Sequence, residues 1–235
     1  MMKFWAHFGA LTALALSAPV FATSASEAPV VPGTSAEASD LGTWELLGNP
    51  NMAANVGVWD SHFYVRDRKG NLMQQYRARK NMQVYGNVYY QVNEYWYEDG
   101  TYKKVRFIGV PRKDGSVETD SPDRGYFKRL QRVYASMGPT IAIWTLRDRK
   151  SGQDLGAEFV TTFENKRTAT PHFYEVSKER REQLGVRPED PPIGQDATTT
   201  IIETRAGPMV TDKPLFTLTA QEKNDLLPIF HNALK

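Results

Sequence analysis

Asp60 and His62 stand two residues apart, a spacing that places both side chains on one face of an extended strand. A carboxylate beside an imidazole is what acid–base chemistry requires, so these two are the candidate catalytic residues of the chain. Two polar residues on a solvated strand face are the plainer reading. Beyond residue 22 the remaining histidines are His172 and His231. None of the three has another histidine, or a pair of carboxylates, at helical ligand spacing, and no metal site is expected. Cysteine is absent, which excludes disulfides, thiolate metal centres, cysteine nucleophiles and iron–sulfur clusters together. No glycine-rich phosphate loop, G-x-S-x-G, H-E-x-x-H or EF-hand pattern occurs, and no cofactor is expected.

The tyrosines carry a stronger signal. Six of the eleven fall at positions 85, 89, 90, 95, 97 and 102. On a strand over 83–97, Tyr85, Tyr89, Tyr95 and Tyr97 share the odd face with Gln83, Asn87, Gln91 and Asn93. Val84, Val88, Val92 and Trp96 take the other. A face of alternating phenols and amides hydrogen-bonds and stacks at low entropy cost, which suits a sugar, an aromatic or a bilin-like ligand. Tyr85, Tyr89, Tyr95, Asn87 and Gln91, with His62, are therefore the candidate ligand-binding residues of a small-molecule site. Aromatic residues also favour strands for their own sake and cover outer sheet faces. Two orientations stay open. In a small barrel the valines fill the interior; in a wider one the tyrosines line it while the valines pack under a helix. Either way the tyrosine face is expected to be partly wet, because each buried phenol or amide needs a partner.

The elements that must position these residues are mostly strands. Period-two patterning broken by turn signals predicts strands over 58–67, 72–80, 83–97, 101–112, 125–134, 140–148, 155–163, 168–176 and 199–205. Asp99-Gly100 and Asp114-Gly115 are hairpin signals, and Gly70 suits a positive φ in the turn after the first strand. A short helix over 177–184 ends at Gly185, and a Pro- and Asp-rich loop runs over 187–198. A C-terminal helix over 219–235 opens with a Thr219/Glu222 capping box, and Pro228 breaks it near Leu227. Eight to ten strands joined to their neighbours by short turns form a mainly β, antiparallel meander. Such a meander hides its edges by closing into a barrel or folding over into a sandwich, and a barrel with a C-terminal helix packed against it is the expected fold.

Residues 1–22 read as a secretory signal, with Lys3, an apolar stretch over 8–16 and a Val20-Phe21-Ala22 exit. The competing reading is an N-terminal anchor, against which His7 and Pro19 count. No later stretch approaches a membrane span. Residues 23–39 are small and polar, a leader expected to be disordered, and residues 40–235 are expected to form a single barrel domain. At about 195 residues such a domain buries enough core without staples. Export without cysteines points to a periplasmic or secreted protein. With 29 Lys and Arg against 27 Asp and Glu, the formal charge is +2, which gives no support to a nucleic-acid partner. The basic clusters at 77–80, 103–106 and 128–132 read as solvated faces.

Gly42-Thr43-Trp44 resembles the G-x-W that opens the barrels of the lipocalin-like (calycin) group. The successive hairpins, with a helix after the last strands, are similar too, so the expected barrel is lipocalin-like. The resemblance covers roughly residues 40–205, without that group's T-D-Y and cysteines. It implies that the tryptophan packs over the barrel base with an arginine from the last strand across it, and Arg205 is the candidate. It also implies small-molecule binding, with cofactor-free enzymes as the exception. Three functions follow: binding of a small amphipathic ligand, a cofactor-free lyase, isomerase or hydrolase using Asp60 and His62, or a structural envelope protein with a packed interior.

Overall fold

Alternating apolar and polar residues after Val56 produce the first strand, β1 (Gly57–Asp67), in which Trp59, Ser61 and Phe63 turn inward and Asp60 and His62 outward. The computed structural model describes Gly42 and residues 44–67, 69–123, 130–148, 154–173, 197–209 and 211–226, all within the unit Gly33–Lys235. Nine more strands follow: β2 (Leu72–Tyr85), β3 (Val88–Tyr97), β4 (Tyr102–Pro111), β5 (Val117–Asp120), β6 (Leu130–Ser136), β7 (Ile141–Asp148), β8 (Asp154–Phe163), β9 (Lys166–Phe173) and β10 (Ala197–Gly207). Each pairs antiparallel with its chain neighbour, and β10 pairs with β1 to close the barrel. The mainly β meander expected from the sequence is the fold. The signal, the leader, the helix over 177–184 and residues 227–235 lie outside the described residues.

Two expected strands are redrawn. The run 83–97 is not one strand, because Gly86 and Asn87 both take positive φ (56° and 60°) and form a two-residue hairpin loop. Such a loop matches the right-handed twist of its strands and requires residues that tolerate that region. The polar strand expected over 72–80 accordingly runs on to Tyr85. The four-residue β5 had no forecast; Val117 and Thr119 face inward from it while Glu118 and Asp120 are buried on its other face.

One end of the barrel is plugged. After a 3-10 turn (Leu46–Gly48) comes helix α1 (Pro50–Asn55), with Pro50 at its first position. The Asn49 side chain caps it, accepting from the amides of Asn51 (3.0 Å) and Met52 (3.1 Å). Asn51 accepts from the Tyr134 hydroxyl, Thr162 donates to Asn55 Oδ1 (3.3 Å), and Trp59 Nε1 donates to the Asn55 carbonyl (2.9 Å). Arg205 lies over the Trp59 ring at 4.3 Å and donates to the carbonyls of Val56 (2.7 Å) and Ala54 (2.6 Å). It thereby satisfies carbonyls the short helix leaves unpaired.

Apolar packing occurs in two layers. The interior one includes Trp59, Phe63, Met82, Tyr89, Phe107, Tyr134 and Trp144. The second lies outside the barrel, where Val88, Tyr90, Ile108 and Val110 are covered by Leu218 and Leu226 of the C-terminal segment. That segment carries helix α2 (Ala220–Leu226), whose expected capping box is formed. Thr219 N donates to Glu222 Oε2 (2.9 Å) and Glu222 N donates to Thr219 Oγ1 (3.1 Å).

Candidate functional site

Ladder register decides which side chains meet inside. Trp59 sits opposite Lys80 and Arg205, and Ser61 opposite Ala78 and Glu203. The carboxylate of Glu203, fully buried, receives Lys80 Nζ at 2.7 Å and the Ser61 hydroxyl at 2.7 Å on Oε1. Arg167 Nη1 lies 2.7 Å from Oε2. Burial alone would raise the Glu203 carboxyl, but Arg167, Lys80 and the Ser61 hydroxyl together hold it below its ordinary value. Burial pushes the Lys80 ammonium down, with Glu203 opposing, and bringing the two together costs the desolvation of both partners. Tyr134 is pushed up by burial.

The tyrosine–amide face of β3 lines the same interior. Tyr89 donates to Gln91 (2.7 Å), Gln91 Nε2 to Asn93 Oδ1 (2.7 Å), and Asn93 Nδ2 to the Tyr95 hydroxyl (2.8 Å). Each link joins residues i and i+2 on one face of the strand, so the polar groups satisfy one another in a polarised chain. The chain ends among Phe63, Tyr76, Tyr95 and Tyr97. Phe63 and Tyr76 stack at 4.5 Å, Tyr95 meets Phe63 edge-on at 5.8 Å, and Tyr97 lies 4.7 Å from Tyr76. Lys80 Nζ sits 5.1 Å from the Phe63 ring centre and joins this quartet to the charged cluster. Phe63 is four residues beyond Trp59, about 13 Å along β1 and away from the plug. Tyr76 and Tyr97 are only half-buried.

The expected ligand-binding residues thus separate. Tyr89, Gln91 and Tyr95 come together inside, with Asn93 between them. Tyr85 and Asn87 do not share their face, because the Gly86-Asn87 loop interrupts the alternation. Tyr85 is exposed on the outer side of β2. Asn87 ties the loop to the N-terminal segment, accepting from Leu46 N (2.8 Å) and donating to the Trp44 carbonyl (3.0 Å). His62 is exposed on the barrel exterior. Asp60 also points outward, and Arg79 grips it through Nε (2.8 Å) and Nη2 (3.2 Å), so the carboxylate faces a guanidinium rather than a proton to be taken. His172, on the outer side of β9, is exposed as well. Among the described residues no group of three or more His, Asp or Glu is placed to hold a metal ion.

The tryptophan beneath Arg205 is Trp59 rather than Trp44. Trp44 lies in a bend before the barrel and donates to the Arg112 carbonyl at 2.7 Å. The sequence contains a second G-x-W, Gly57-Val58-Trp59, at the head of β1, and this one closes the barrel. Gly57 has φ of 145°, and a Cβ there would fall 2.4 Å from Arg205 Nη1. The Lys80–Glu203–Arg167 cluster was also missed. Its signal was parity, since Lys80 alternates in phase with the buried Ala78 and Met82.

No protein-family model matches the chain, and no curated protein does. Among solved structures the chain is similar to Rv2717c from M. tuberculosis, at 11% identity and a TM-score of 0.40, over 71% of this chain and 99% of that one.

Proposed function

We propose that this is an exported, lipocalin-like barrel that takes up a small amphipathic or aromatic ligand at the end opposite the plug. The observation that carries the reading is the Phe63–Tyr76–Tyr95–Tyr97 quartet, half-buried at its outer edge and resting on a hydrogen-bonded polar floor. Aromatic walls with a few placed polar groups are the usual make-up of a small-molecule site. Ten strands also enclose more space than eight, whose interior side chains just fill the barrel. The Arg205–Trp59 lid at the plug supports the calycin reading, as does the leader for export.

The test is a fluorescence titration of the full chain with 1-anilinonaphthalene-8-sulfonate, an amphipathic aromatic anion. Tyr97→Leu removes the ring but keeps apolar volume, and it is expected to weaken the complex roughly 2- to 10-fold. Phe163→Ser, on the exposed outer face of β8, is expected to leave it unchanged. Binding lost in Phe163→Ser and retained in Tyr97→Leu would place the probe on the exterior and overturn the proposal.

A further inference from the structure

The outer face of the barrel carries an aromatic and cationic row that interior binding does not use. Ladder register sets Ile202 on β10, His62 on β1, Arg77 on β2, Trp96 on β3 and Tyr102 on β4 side by side. Trp96 is 41% and Tyr102 51% exposed, with ring centres 5.8 Å apart. The Tyr102 hydroxyl donates to Glu94 at 2.7 Å, which fixes its ring. Two surface hollows, of about 420 and 330 Å³, share His62, Arg77 and Trp96 as lining. One extends toward Asp60 and Arg79, the other toward Tyr64 and Glu98 across Phe63, Tyr76 and Tyr97, so together they form a trough along the strands.

Arg77 stands apart from its neighbours. Arg66 donates to the Gly70 carbonyl, Arg79 is held by Asp60, Arg106 by Asp123 and Glu222, and Arg147 by Asp154. Arg77 has no such partner among the described residues. It lies in the trough between an imidazole and an exposed indole.

We infer that this trough binds a short acidic oligosaccharide, with a pyranose ring stacked on Trp96 and a sugar carboxylate paired with Arg77. Trp96 and Tyr102 stand side by side on one sheet face, which offers a ligand one aromatic side. A pyranose presents its C–H face to one aromatic ring and its hydroxyls to the polar rim. Charge complementarity points the same way. Among the described residues Arg77 has no ion-pair partner, whereas Arg79 holds Asp60 and Lys104 lies near Glu94, and a lone guanidinium matches a single carboxylate among neutral hydroxyls. A carboxylate meets guanidinium through paired, charge-assisted hydrogen bonds.

The full chain titrated with cellobiouronic acid, cellobiose and AMP, followed by tryptophan fluorescence and calorimetry, tests this. Saturable binding of cellobiouronic acid is expected, tighter than either comparison ligand. Arg77→Gln is expected to weaken the acid about tenfold while leaving cellobiose unchanged, and Trp96→Ala to remove both. Tyr95→Leu, in the interior quartet and outside the lining of both hollows, is expected to change neither, which separates this site from the interior one. Both exterior side chains are exposed, and unchanged circular dichroism establishes that their variants fold. AMP binding more tightly than the acid, equal binding by Arg77→Gln, or no saturable binding of the acid would each overturn the assignment.

Discussion

Glu203 holds two buried cations at once, and its removal would leave Lys80 and Arg167 charged without a partner in the barrel interior. Glu203→Gln is therefore expected to cost about 3–5 kcal/mol in urea denaturation. Replacing Lys80, Arg167 and Glu203 together by apolar residues of similar volume is expected to cost far less, because no charge is stranded. A triple variant as unstable as Glu203→Gln would show that the cluster is held for more than charge balance. The same cluster sets a pH dependence. Glu203 titrates below its ordinary value when folded, so its contribution is complete above that ordinary value and is lost as pH falls through the depressed one. Lys80 is also depressed, so folding is favoured as pH rises between its folded and unfolded values. Denaturation midpoints measured across acid pH should fall in the wild type, and the slope should flatten in Glu203→Gln. Gly57 is a second point of dependence. Gly57→Ala places a methyl group against Arg205 and is expected to cost about 1–3 kcal/mol, read by thermal melting, with Trp59 fluorescence shifted.

At the level of elements, the C-terminal segment acts as a clasp on the outer face of β2 to β4. Gln83 holds it through Lys213 O and Leu215 N, both at 2.9 Å, and Arg106 holds Glu222 at 2.6 Å. Glu222 is also half of the capping box, so Glu222→Ala removes a cap and a clasp contact together. It is expected to cost about 1–2 kcal/mol and to speed proteolysis of 211–226, with the barrel itself intact. Uniform protection across the chain in hydrogen exchange would contradict that local effect. Much of this level was legible in the sequence. The strands over 58–67, 140–148 and 155–163 and the Thr219/Glu222 box depend on neighbours in the chain, which alternation and spacing record. The Gly86-Asn87 loop was hidden because tyrosines and valines alternate on both sides of it, so a continuous strand fitted equally well. The short β5 was hidden because four residues carry too little period to detect.

For the whole molecule, the division between a plugged end, a charged middle and an aromatic far end was not legible, because it arises from register between strands far apart in sequence. Lys80 and Glu203 meet across more than a hundred residues, and the parity that sets Lys80 in phase with Ala78 and Met82 does not say what it faces. The alternation read over 83–97 sorts tyrosines and amides onto one face, and from Val88 on the structure turns that face inward while the C-terminal segment covers Val88 and Tyr90. Export belongs to this scale as well. Intact mass of material from the envelope is expected to show an N-terminus near Thr23, and a retained Met1 would contradict the secretory reading. The most direct measurement of the central claim is an NMR titration of the chain with 1-anilinonaphthalene-8-sulfonate. The largest shifts are expected at Phe63, Tyr76, Tyr95, Tyr97 and Lys80. Shifts confined to the barrel exterior, at Phe159 and Phe163 for example, or no shifts at all, would contradict it.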